Sequence, residues 1–220
     1  MCFDAGVKRS ASGDYSGAIA EYDKAIQANP NDAKAYNNRG IAKDALKDEF
    51  GAIADYTKAI ALNPQYQFAY YNRGNSEKKL KDYSNAIRDY DVALALNPQD
   101  AAVFLNRGNT KYLQNDYGAA IADCTKAIEL NPLYAKAYNS RGAARNRTKD
   151  FAGAIADCSK AIELDPQYSE AYNNRGNAKR GLSDLDGAIA DFDKAIDLNP
   201  QYAKAFTNRM AVEALKTGMK

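Results

Sequence analysis

Apolar residues return along this chain at the spacing of one α-helix face. In GAIADYTKAIAL, residues 51–62, Ala52, Ile53, Tyr56, Ala59 and Ile60 share a face, and strand alternation fails on the same stretch. The motif recurs every 34 residues, so the chain reads as a tandem array. One position on this helix stays small throughout: Ala18, Ala52, Ala86, Ala120, Ala154 and Ala188. An acid precedes each copy, at Asp14, Asp48, Asp82, Asp116, Asp150 and Asp184, where a carboxylate can accept from free N–H groups of the first turn. Pro30, Pro64, Pro98, Pro132, Pro166 and Pro200 each follow Asn or Asp and mark a helix end. Two helices and a turn fit between successive prolines, and the array is predicted to be all-α.

The other helix of each unit carries AYNNRG at 35–40 and its copies YYNRG, FLNRG, YNSRG, YNNRG and FTNRM. Gly6, Gly40, Gly74, Gly108, Gly142 and Gly176 sit near its middle, where glycine costs about 1 kcal/mol relative to alanine. Such repetition predicts that the paired helices approach closely at each glycine. Met210 takes this position in the last copy, which has no second helix after it.

Composition removes several function classes. Lys and Arg number 30 against 28 Asp and Glu, a net charge of +2, so neither nucleic acid nor an anionic membrane is an expected partner. No apolar run approaches the roughly 20 residues of a membrane span. MCFDAGVKRS lacks the apolar stretch of a signal peptide, and a cytoplasmic location is expected. There is no histidine, no Gly-rich phosphate loop and no carboxylate pair outside the repeating frame, so no catalytic centre, metal or cofactor is expected. Cys124 and Cys158 take the place that other copies give to Tyr22, Tyr56, Tyr90 and Phe192, and they read as buried thiols.

These features resemble the tetratricopeptide repeat (TPR) family, a helix–turn–helix unit of 34 residues with small residues at the helix crossing and a proline at its end. In 33–66 the resemblance rests on Tyr36, Gly40, Ala52, Tyr56, Ala59 and Pro64, and the same set recurs in later units. It divides the chain into repeats at 1–32, 33–66, 67–100, 101–134, 135–168 and 169–202, with a capping helix at 203–220. The implied architecture is a right-handed superhelical solenoid of about 13 stacked antiparallel helices. Two departures stand out. The family's leucine before the glycine is arginine here, and its aromatic three residues after it is Lys43, Glu77, Lys111, Arg145 or Lys179. The first repeat begins inside its first helix, with Ala5 and Arg9 at the corresponding places, as expected of a segment of a longer protein.

The repeated arginines, Arg39, Arg73, Arg107, Arg141, Arg175 and Arg209, have candidate partners in Glu21, Asp55, Asp89, Asp123, Asp157 and Asp191. Pairing within a repeat leaves Glu21 and Arg209 alone, whereas pairing each acid with the arginine 18 residues later uses all of them. The expected bridges therefore run from Glu21–Arg39 to Asp191–Arg209. They would join the second helix of one repeat to the first helix of the next and fix the register between them.

The resemblance also implies a concave groove lined by the first helices, and what varies between repeats is the guide to its ligand. Phe68, Tyr71, Leu105 and Tyr112 form an apolar, aromatic stretch, with Lys78, Lys79, Lys136, Arg145, Arg147 and Arg180 around it. Asn75, Asn106, Asn109, Asn139, Asn173 and Asn177 add amides that can donate to and accept from a peptide backbone. The expected function is a non-catalytic protein–protein interaction scaffold that holds a partner's peptide, acidic or ending in a free carboxylate. Chaperone-binding members of the family clamp such a carboxylate with two asparagines and several basic residues. Asn75, Asn106 and Lys136 match part of that clamp, but Tyr71 and Ser140 stand where basic residues are expected. The main alternative is self-assembly through an apolar edge at Phe3 and Val7, the other end being capped by a helix carrying Lys204, Arg209, Glu213, Lys216 and Lys220. An RNA-binding array is a minor alternative.

Overall fold

A computed structural model describes residues 2–218, and all regular structure among them is helical. The first helices of the repeats are α1 (Cys2–Ala11), α3 (Ala33–Ala45), α5 (Gln67–Lys79), α7 (Ala101–Leu113), α9 (Ala135–Arg147) and α11 (Ser169–Gly181). The second helices are α2 (Tyr15–Ala28), α4 (Glu49–Leu62), α6 (Tyr83–Leu96), α8 (Tyr117–Leu130), α10 (Phe151–Leu164) and α12 (Leu185–Leu198), and α13 (Ala203–Thr217) ends the array. The chain forms two compact units, one up to Thr110 and one from Lys111. Within each unit, a first helix packs on the second helix of its own repeat, which packs in turn on the next first helix. No helix of the described residues is long and apolar enough to cross a membrane.

Local chemistry explains the boundaries. Asp14, Asp48, Asp82, Asp116, Asp150 and Asp184 each accept from a backbone N–H three residues on, capping α2, α4, α6, α8, α10 and α12. At the other end, the Asn or Asp before each proline accepts from the N–H two residues on, as at Asn63 with Gln65 at 3.0 Å. This bond bends the chain around a proline that has no N–H to give. The turn inside a repeat needs one residue at positive φ, and Lys47, Lys81, Asn115, Lys149 and Ser183 supply it at 64–68°.

The core is thin and built on small residues. The alanines at the helix crossings are buried, and Tyr22, Tyr56, Tyr90, Cys124, Cys158 and Phe192 fill the space beside them. The close approach expected at the glycines is present. A Cβ on Gly40 would lie 2.7 Å from the Tyr56 ring, and one on Gly142 would lie 2.7 Å from Cys158 Sγ. Cys124 and Cys158 are free thiols, and burial pushes both up to about 12.

The ends depart in part from expectation. Phe3 packs against Tyr22, with ring centroids 5.9 Å apart, so of the expected apolar edge Val7 is the exposed member. Polar residues do not cover α13: Met210 is 67% and Leu215 63% exposed among the described residues. Lys220 lies outside the described residues.

Candidate functional site

The repeated arginines pair differently from the expected register. Arg39 grips Asp55 with Nε and Nη2 at 2.8 and 2.6 Å, and Arg73, Arg141 and Arg175 grip Asp89, Asp157 and Asp191 the same way. Each bidentate pair thus lies within one repeat, 16 residues apart. The bridge to the preceding repeat does exist, but a third nitrogen makes it: Nη1 reaches Asp23, Thr57, Asp91, Thr125 and Ser159 from Arg39, Arg73, Arg107, Arg141 and Arg175. Glu21 bonds Lys24 instead, and Arg209 bonds Asp193 and Glu213. The physical reason is angular. Residues 21 and 23 lie about 200° apart around α2, so only one of them faces the next repeat. An aromatic ring three residues earlier lies over each of the first five arginines, as Tyr36 does over Arg39 at 5.3 Å. This row is structural.

Facing away from it, the first unit carries a polar chain on α5 and α7. Lys78 Nζ donates to Asn106 Oδ1 at 2.8 Å, and Asn106 Nδ2 donates to the Tyr71 hydroxyl at 3.0 Å. Burial, helped by neighbouring Lys79, holds the Lys78 ammonium below its usual range. Tyr90 donates to Asn75 Oδ1 at 2.8 Å. Phe68 is 57% exposed and Asn109 half-buried. Leu105 does not reach solvent: it is 4% exposed, inside the packing between helices rather than on the groove.

The second unit holds an open cleft of about 280 Å³, lined by Tyr112, Asn146, Arg147, Phe151, Asn177 and Arg180 together with Ala143, Asn174 and Asn208. Asn146 Nδ2 donates to the Asn174 carbonyl at 2.8 Å, but its Oδ1 is buried without a partner. Asn177 Oδ1 is buried without a partner too. The latter has a simple cause: Phe192 stands at the position of Tyr90 and has no hydroxyl to give. Arg147 lies 4.7 Å over the Tyr117 ring, and Tyr112 packs edge-on to the same ring at 5.3 Å. Among the described residues, no carboxylate pairs with Arg147 or Arg180. The cleft therefore offers two cations and aromatic walls, and two of the asparagines that line it hold buried acceptors without a partner.

Of the other expected groove residues of this unit, Asn139 and Lys136 stand elsewhere, and Asn173 lines a neighbouring depression that shares Asn174, Asn177 and Asn208 with the cleft. Asn139 and Asn173 are 8% and 4% exposed, because they form an amide ladder between repeats. Asn174 donates to Asn139 Oδ1 and Asn208 to Asn173 Oδ1, each at 2.9 Å. Asn139 also donates to the Tyr168 hydroxyl at 3.1 Å, so its amide is not free for a ligand. Lys136 is exposed on α9 but does not line the cleft. Conversely, the sequence reading missed Phe151, Asn174 and Asn208. Gly181 was the available signal for Phe151, since a Cβ there would meet the ring at 2.5 Å.

Comparison with known proteins agrees with the helical-repeat fold. A family model described as "Tetratricopeptide repeat" matches residues 68–100, 101–134, 135–168 and 169–202, a second of that description matches 33–66, and one described as "TPR repeat" matches 10–44. No curated protein matches by sequence. Among solved structures, YrrB, titled "a TPR protein with an unusual peptide-binding site", superposes with a TM-score of 0.70 at 25% identity, covering 86% of this chain and 97% of its own. MamA superposes at 0.68 with 26% identity, covering 78% and 94%. A tetratricopeptide repeat protein from Parabacteroides merdae superposes at 0.82 over 99% of this chain and 86% of its own; at 19% identity it speaks to fold alone.

Proposed function

The chain belongs to the tetratricopeptide repeat family, and on that premise we propose that it binds a partner protein through an acidic peptide segment seated in the cleft of the second unit. The family is typically a non-catalytic scaffold, and protein–protein interaction is the function its repeats serve. One observation carries the finer reading: two buried amide oxygens, Asn146 Oδ1 and Asn177 Oδ1, lack donors beside two arginines without carboxylates. A peptide backbone lies against these asparagine side chains, and an acidic side chain or terminal carboxylate pairs with the arginines. Tyr112 and Phe151 give the segment an apolar anchor. A volume near 280 Å³ takes a few side chains, not a folded domain. In the first unit, taken by itself, exposed Phe68 is a separate candidate contact. YrrB, a TPR protein with an unusual peptide-binding site, supports the same use of the fold.

Selection from a peptide-display library on the folded chain tests this. Enrichment of Asp- or Glu-containing peptides is expected, with affinity falling about tenfold or more in an Arg147→Ala/Arg180→Ala variant. Peptides without acidic enrichment, or binding unchanged in the variant, would remove the cleft from the account. Exposed Val7 on α1 and exposed Met210 and Leu215 on α13 favour a second reading, association of copies through the end helices. A mass that rises with concentration in sedimentation would support it, and a constant monomer mass would dismiss it.

A further inference from the structure

Most repeats neutralise the buried aspartate of the second helix with a second cation from the first helix. Lys43 reaches Asp55, Lys111 reaches Asp123 and Lys179 reaches Asp191, each at 2.8 Å, and Arg145 reaches Asp157 at 2.9 Å. The third repeat departs from this: Glu77 stands where the cation should be. Asp89 already occupies Arg73, whose Nε lies 2.6 Å from it and 4.0 Å from Glu77. Glu77 Oε2 is buried with no hydrogen-bond partner, and the side chain is only 12% exposed. Two carboxylates thus share one guanidinium away from water. From α6, the ionisable groups acting on Glu77 are Asp89, Arg88 and Tyr90, with Asp82 at the cap of that helix. Arg73 acts from α5 itself. From the neighbouring elements, α4 gives neutral Thr57 to Arg73, α7 gives Asn106 to Lys78, and Asp44 of α3 is engaged by Lys79.

We propose that Glu77 makes the third repeat proton-responsive: protonated Glu77 lets α5 pack firmly on α6, and ionised Glu77 loosens that contact. Burial first and Asp89 second push Glu77 up to about 7 from its ordinary 4.5. Between these values the folded chain holds more protons than the unfolded chain. Stability therefore falls as pH rises from 4.5 towards 7 and stays at the lower level above it.

Carboxyl-carbon NMR titration of the whole chain reads Glu77 directly. A midpoint near 7 is expected, and one in the ordinary glutamate range overturns the proposal. Urea unfolding at pH 5 and pH 8 gives an independent reading on the wild type and Glu77→Gln. The wild-type unfolding constant is expected to rise at least about tenfold more than that of Glu77→Gln between the two pH values. An equal rise in both proteins would reduce Glu77 to a packing role and also overturn the proposal.

Discussion

In the third repeat Tyr90 donates to Asn75 and Lys78 to Asn106, whereas in the sixth the corresponding Phe192 has no hydroxyl and the corresponding Arg180 has no carboxylate. On the opposite side the contrast reverses. Lys179 gives Asp191 of the sixth repeat a second cation at 2.8 Å, while Asp89 of the third faces Glu77. The two repeats share one frame and one set of helix contacts. One closes its groove-facing polar groups on itself and keeps an uncompensated acid behind them; the other is compensated behind and open in front. The lesson is that a position in the repeat does not decide whether a polar atom is available to a ligand. Single atoms on the neighbouring helix decide it, such as the hydroxyl that separates Tyr90 from Phe192.

The comparison breaks most visibly at the buried aspartates. Asp191→Ala strands Arg175 and Lys179 and is expected to cost about 3–5 kcal/mol. Asp89→Ala leaves Arg73 free to take Glu77, and is expected to cost at least about 1 kcal/mol less. Urea denaturation at pH 7 measures both, and equal losses would show that Glu77 cannot substitute. A smaller effect comes from exchanging the hydroxyl. Phe192→Tyr should donate to Asn177 Oδ1, stabilise the chain by about 0.5–1.5 kcal/mol and weaken peptide binding, while Tyr90→Phe should destabilise by a similar amount. Calorimetry on both variants checks this, and a destabilised Phe192→Tyr would mean that the hydroxyl does not reach the amide. The smallest effect is at the turns, where the repeats should behave alike. Lys81 and Ser183 have φ of 64° and 65°, so each change to Gly should gain up to about 1 kcal/mol. Unequal gains would mean that the two turns carry different strain.

Much of the fold was legible in the residues because its causes are local or periodic. The capping aspartates, the prolines after Asn or Asp and the helical spacing of the alanines act within a few residues of themselves. Even the glycines announced their role, since an unfavourable residue repeated at one spacing implies a close neighbour. The candidate site was legible only in part. Tyr112, Asn177 and Arg180 were read as groove residues from their place on the first helix, and they do line the cleft. Leu105 and Asn139 were read by the same rule and turned inward, because a helical wheel does not say where the adjacent repeat covers a face. Counting acids against arginines likewise gave the wrong register, because it assumed that every acid needs an arginine. Glu21 found Lys24 instead.

By itself, then, the sequence determined the helices, their ends and the 34-residue period, and it contains no histidine. These follow from backbone hydrogen bonding and from composition, which need no distant partner. Only the tertiary structure decided which oxygen of Asp89 meets which nitrogen of Arg73, why Glu77 has nothing to bond and why Asn177 keeps a free acceptor. Those outcomes depend on distances of a few ångströms between helices far apart in the chain. Hydrogen bonds and ion pairs fall away over that length, so the same residue types can be satisfied in one repeat and left open in the next.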